Sequence, residues 1–172
     1  MKKLLLLIAC TSVFSGTQLK AQDDKSKRPS PPAKATQTIA SGAVITIDYS
    51  SPSLKGRTMG KDVEPMKGQV WRAGANEATV FATSKDITVE GKKLPAGKYG
   101  FYTISGDAEW TVIFSKVSTN WGADGYKEAD DALRVKVKPG IGAAQEKLQY
   151  AISKEGKVSL RWGTLDLSFN VK

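Results

Sequence analysis

The side chains best suited to holding a ligand stand close together in Trp71-Arg72-Ala73-Gly74-Ala75-Asn76-Glu77. Arg72 offers a planar fork that matches carboxylate or phosphate, Asn76 carries both donor and acceptor, Glu77 brings a carboxylate and Trp71 a flat apolar face. Lys55 and Arg57 lie in an earlier loop around Gly56. Arg57, Arg72, Asn76 and Glu77, if they converge at one end of a fold, suit an anionic or hydroxylated ligand. A plainer reading has Glu77 pair with Arg72 or Arg57 to tie two loops together. Asn76 then accepts a left-handed backbone, and Gly74 marks a bulge. Asn120-Trp121-Gly122 forms a third cluster, in which Trp121 either stacks on a sugar ring or plugs the end of the fold.

Other chemistries are narrowed by what the chain lacks. It contains no His, so Ser-His-Asp triads, Cys-His dyads and His-ligated metals are excluded. Acid–base work would fall to Asp, Glu, Lys or Tyr. A glycosidase needs two carboxyls about 5–10 Å apart. Asp48, Glu77 and Asp124 are the candidates, and no spacing brings any two together. No phosphate-binding glycine loop of the P-loop or dinucleotide type is present. Asp124 with Asp130-Asp131 lacks the alternating ligands of a calcium loop, and these carboxylates read as solvated. The sequence calls for no metal and no cofactor, and it leans away from an enzyme without assigning any catalytic residue.

Next come the segments that must deliver and position these groups. The chain has 172 residues, which suits one domain. Lys2-Lys3 followed by the apolar run Leu4 to Ala9 has the form of a secretory leader, too short to persist as a membrane span. Two processing readings stand. Cleavage after Ala21 leaves residues 1–21 as a signal peptide and Gln22 first; alternatively, Leu7-Ile8-Ala9-Cys10 is a lipobox whose Cys10 is acylated. Either way the protein is expected outside the cytoplasm, periplasmic or secreted in one case and lipid-anchored in the envelope in the other. Cys10 is the only Cys, so no intramolecular disulfide is available. The formal charge of +9 falls to +6 without Lys2, Lys3 and Lys20. The remaining Lys and Arg alternate with apolar residues, as in Arg134-Val135-Lys136-Val137-Lys138, which reads as a solvated strand face rather than a nucleic-acid patch. Residues 22–35, with Pro29, Pro31 and Pro32, read as a polar tether whose end can pack on the domain.

From 36 to 172 the pattern is that of an all-β domain. Ile45, Ile47 and Tyr49 alternate with polar residues, and so do Leu133, Val135 and Val137, then Leu148, Tyr150 and Ile152, then Leu165, Leu167, Phe169 and Val171. Pro95-Ala96-Gly97 and Lys154-Glu155-Gly156-Lys157 supply turns. The spacing predicts roughly nine or ten short strands in an antiparallel β-sandwich, with a jelly-roll-like connection as one option. Helix is minor, with a turn or two at 126–133 and 142–147 and a short turn ended by Pro65. Inward positions are predicted at Ile45, Ile47, Val80, Phe101, Ile113, Val135, Leu148, Leu160 and Leu167.

Several blocks, in order, carry a family resemblance. They are Ser51-Pro52-Ser53-Leu54-Lys55-Gly56-Arg57, Trp71 to Thr79, Lys93 to Tyr99, Glu109 to Ile113, Asn120-Trp121-Gly122, Leu133 to Pro139 and Leu160-Arg161-Trp162. From about Arg28 onward the chain resembles family 2911 of the domains of unknown function, exported proteins of Gram-negative bacteria. Met59 to Lys67 and Gly140 to Gln145 look shorter than in that family. The resemblance implies an exported setting and supplies no activity. The expectation is therefore a non-catalytic envelope module that binds a small ligand, a glycan or an envelope protein. The alternative is a carboxylate-dependent hydrolase acting on cell-wall or glycan material.

Overall fold

The structure is a computed structural model and describes residues 24–172. The leader, its cleavage site and Cys10 lie outside the described residues. Among those described, the chain is mostly antiparallel β, and its only helical pieces are two single 3-10 turns at Lys25–Lys27 and Glu128–Asp130. Among the described residues, no helix is long and apolar enough to cross a membrane.

The main sheet begins with β1 (Pro32–Thr38) and β2 (Val44–Ser50), paired antiparallel in unbroken register from Pro32↔Ser50 to Thr38↔Val44. β2 alternates as its sequence requires, with Ile45, Ile47 and Tyr49 buried while Val44 and Asp48 face solvent. β3 (Val70–Trp71) and β4 (Thr79–Thr83) come next, then a small hairpin of β5 (Ile87–Val89) and β6 (Lys92–Leu94). β7 (Gly97–Ile104), β8 (Trp110–Ser115) and β9 (Asp131–Val137) complete the sheet, whose order is β1-β2-β4-β7-β8-β9, with β3 paired to the far end of β7. Neighbours in this sheet follow chain order, so the connection is a meander rather than a jelly roll.

A long hairpin of β10 (Gly140–Ile152) and β11 (Lys157–Asn170) supplies much of the facing layer. Leu148, Tyr150, Val158, Leu160, Leu167 and Phe169 join Ile45, Ile47, Phe81, Phe101, Phe114 and Val135 in one core. Phe101 stacks on Phe169 at 5.8 Å, and Phe114 meets Phe81 and Phe101 edge-on at 5.0 and 5.5 Å. Gly156 takes the left-handed backbone of the hairpin turn at φ 92°, and it also lets the chain end approach, since a Cβ there would lie 2.0 Å from the Val171 carbonyl oxygen.

A smaller cluster on the outer face of the sheet joins Ala78, Tyr102 and Ile113 under Tyr126 and Ala123. β8 is therefore buried on both faces, and its run Trp110-Thr111-Val112-Ile113-Phe114 does not alternate in burial.

Two expectations need correction. Residues 142–147 belong to β10, because pairing with β11 across two register shifts overrides the helix preference of Ala, Gln, Glu and Lys. The 126–133 stretch holds one 3-10 turn, and a hydrogen-bonded turn at 58–62 precedes Pro65, both as expected. Val80 is half-buried on the outer face, and its neighbour Phe81 takes the core position.

Candidate functional site

The loop joining β3 to β4, residues 72–78, is fixed from below. The Tyr150 hydroxyl donates to the Ala73 carbonyl oxygen at 2.7 Å, and the Thr79 hydroxyl donates to the same oxygen at 3.1 Å. The Trp71 indole donates to the Gly74 carbonyl oxygen at 3.1 Å. Ala73 and Asn76 both adopt left-handed backbone, with φ of 51° and 57°. For Asn that conformation is familiar; for Ala it stores strain that the buried hydrogen bonds hold in place. Gly74 does not mark a bulge. It is required by close approach, since a Cβ there would lie 2.8 Å from the Thr79 hydroxyl.

The other side of this loop is zipped to residues 120–122. The Ala78 amide donates to the Asn120 carbonyl oxygen and the Gly122 amide to that of Asn76, at 3.0 and 3.1 Å. Three segments singled out from sequence therefore meet at one end of the sandwich: 51–57, 71–79 and 120–122. Their side chains divide into two groups.

The first group is Asn76, Glu77 and Trp121, and the chain's own amino-terminal segment closes it. Arg28 donates to both Glu77 carboxylate oxygens at 3.0 and 3.1 Å, and the Lys25 ammonium lies 2.9 Å from the same carboxylate. Hydrogen bonding from Lys25, reinforced by Arg28 and opposed by burial, pulls the Glu77 carboxyl from 4.5 down to about 2. The Arg28 guanidinium sits 5.9 Å from the centre of the Trp121 ring, a cation–π distance. Asn76 donates through Nδ2 to the Ser30 carbonyl oxygen at 2.9 Å. Trp121 is 60% exposed, so it does not plug the sandwich. Glu77 makes no pair with Arg72 or Arg57; the turns at Ala73 and Asn76 separate it from Arg72.

The second group is Arg57 and Arg72, which line one cleft of about 200 Å³ together with Ser30, Glu64, Trp71 and Trp162. Arg57 is braced, its Nε donating to the Leu54 carbonyl oxygen at 2.9 Å and Nη2 to that of Ser53 at 2.8 Å. Arg72 is not. Its buried Nε has no hydrogen-bond partner among the described residues, and the guanidinium makes no ion pair there. Lys55 is not on that lining; it sits at φ 50° with its amide donating to Glu146 Oε1.

The carboxylate candidates also sort themselves. Asp48 and Glu77 line one hollow of about 180 Å³, and each is held by cations, Asp48 by Lys34 at 2.9 Å and Glu77 by Lys25 and Arg28. Asp124 is exposed and lines neither hollow. Asp131 accepts from Tyr126 and Arg134, and among the described residues no cluster of three His, Cys, Asp or Glu could hold a metal.

Sequence reasoning missed Lys25, Arg28 and Ser30, which fell within the segment read as a tether. Residues 32–35 of that segment are in β1, with Ala33 and Ala35 packed on the core and Lys34 facing Asp48. The one available signal was the family resemblance, whose start near Arg28 takes in that residue. Tyr150 and Glu64 gave none.

A family model described as Protein of unknown function (DUF2911) matches residues 30–171. No curated protein and no solved structure matches the chain.

Proposed function

The chain belongs to the family described as Protein of unknown function (DUF2911), and from that premise we propose an exported, non-catalytic module of the cell envelope. It binds a ligand or partner at the end of the sandwich that carries Arg57 and Arg72. The observation that carries this reading is Arg72. Its Nε is buried without a hydrogen-bond partner among the described residues, beside a second, braced guanidinium in a shared cleft. A buried donor left without a partner costs about 1–3 kcal/mol. Such a group is well placed for a ligand that supplies the missing acceptor.

A hydrolase is the second reading, because Asp48 and Glu77 share a hollow. General acid catalysis by a carboxyl near neutral pH requires a raised pKa. Glu77 is pulled the opposite way by Lys25 and Arg28, which favours the binding module.

Two experiments separate these readings. Melting of wild-type, Arg72→Ala and Glu77→Gln proteins is followed with and without glycan fragments and small anions. The binding module predicts a ligand-dependent rise in melting temperature that Arg72→Ala abolishes. Glycan hydrolysis that disappears in Asp48→Asn would establish the enzyme instead. For the exported setting, the intact mass of native protein is decisive. A chain beginning near Gln22 supports ordinary cleavage, an acylated Cys10 supports a lipid anchor, and retained Met1 in envelope-derived protein contradicts both.

A further inference from the structure

We propose that the cleft between Arg57 and Arg72 is an oxyanion site that takes the carboxylate or phosphate group of a small ligand; this rests on the binding-module reading and names its ligand class. Few polar atoms of the cleft remain available to a ligand. Trp71 and Trp162 stack at 5.9 Å with their planes 18° apart and form a rigid wall. Neither indole N–H is free, since Trp71 donates to the Gly74 carbonyl oxygen and Trp162 to that of Glu146. Glu64 is the one carboxylate on the lining, and its Oε2 already accepts from the Met66 amide. What remains is dominated by guanidinium donors. Arg72 Nε is unsatisfied, and Arg57 uses only Nε and Nη2, leaving Nη1 without a partner among the described residues.

A site rich in donors and poor in acceptors discriminates by chemistry. A neutral sugar needs acceptors for its hydroxyl protons, whereas an oxyanion brings only acceptors and a compensating charge. Two guanidiniums against one engaged carboxylate leave the cleft positive. The Arg72 guanidinium lies close against the Gly122 backbone, which sits at φ 67°, and a Cβ there would press to 3.0 Å from Arg72 Nη1. At about 200 Å³ the cleft is smaller than the ~300–1,000 Å³ that usually houses a whole drug-sized ligand. It therefore suits an anionic head group whose remainder extends out of the cleft.

The test is a titration of the ¹⁵N-labelled protein at constant ionic strength, read at the Arg72 Nε–H and the Trp71 and Trp162 indole N–H signals. The probes are inorganic phosphate, glucuronate as an anionic sugar, and glucose as its neutral counterpart. The expected result is a saturable shift with phosphate or glucuronate and none with glucose. Whichever anion binds more tightly distinguishes phosphate from carboxylate. Arg72→Gln should weaken that binding by about tenfold or more, equivalent to about 1.4 kcal/mol. If Arg72→Gln fails to fold, Arg72→Lys keeps the charge but loses the fork, and it should still weaken binding severalfold. Saturation by glucose but by neither anion overturns the ligand class and leaves the binding cleft standing. No saturable response to any probe overturns the oxyanion proposal and removes the cleft as support for the binding module. Anion shifts that persist unchanged in a folded Arg72 variant also overturn the proposal.

Discussion

Arg72 and Glu77 stand five positions apart in sequence yet face different surroundings, and the residues between them are the reason. Ala73 and Asn76 turn left-handed, and Tyr150 clamps the turn from the opposite layer. Burial pushes the Tyr150 phenol well above its usual value of 10.0, so it remains a proton donor at any ordinary pH. Tyr150→Phe removes that donor and leaves the strained Ala73 carbonyl with Thr79 alone. The expected cost is about 0.5–1.5 kcal/mol in urea unfolding, with little change in fold. At this scale the sequence was partly legible. Arg57, Arg72, Asn76 and Glu77 could be recognised by type and loop position, and Asn76 by its tolerance of left-handed backbone. The partners of Glu77 could not, because Arg28 lies 49 positions away in a segment with no hydrophobic period to announce it.

Among the elements, β1 and the residues before it show how a polar stretch becomes part of the fold. Ala33 and Ala35 give only a faint alternation, yet β2 offers a complete antiparallel edge, and Lys34 finds Asp48 across the pair. Upstream, Lys25 and Arg28 are held by Glu77. Because the Glu77 carboxyl is lowered from 4.5 to about 2, this contact is fully present above pH 4.5 and is lost as pH falls through about 2. The Glu77 side chain is 38% exposed, so solvent and salt screen the contact, and its energetic worth is modest. Fluorescence of Trp121, which lies beside Arg28, should change across that window in wild type and stay flat in Glu77→Gln. A change in wild type confined to pH above 5 would contradict the assignment. Strong alternation made β2, β9 and the β10–β11 hairpin readable. It failed at 142–147, where local composition favours helix and only a distant partner strand imposes β structure. It failed again at Val80, where two adjacent β-formers leave the register open until the core chooses Phe81.

Across the whole molecule, two layers share one aromatic and aliphatic core, and a rigid scaffold carries the loops at one end. Leu160 is 1% exposed within that core. Leu160→Ala should cost about 2–5 kcal/mol in chemical denaturation, and a loss well below that would place the residue outside the cooperative core. The central claim is narrower: the Arg57–Arg72 end of the sandwich is built to receive a ligand, and Arg72 is not there to hold the fold. Urea unfolding of Arg72→Ala without ligand tests it most directly. An Arg72 that awaits a ligand predicts stability within about 1 kcal/mol of wild type, because no described residue loses an ion-pair partner. A loss of about 3–5 kcal/mol, as expected on breaking a buried ion pair, would contradict the account and make Arg72 a structural residue.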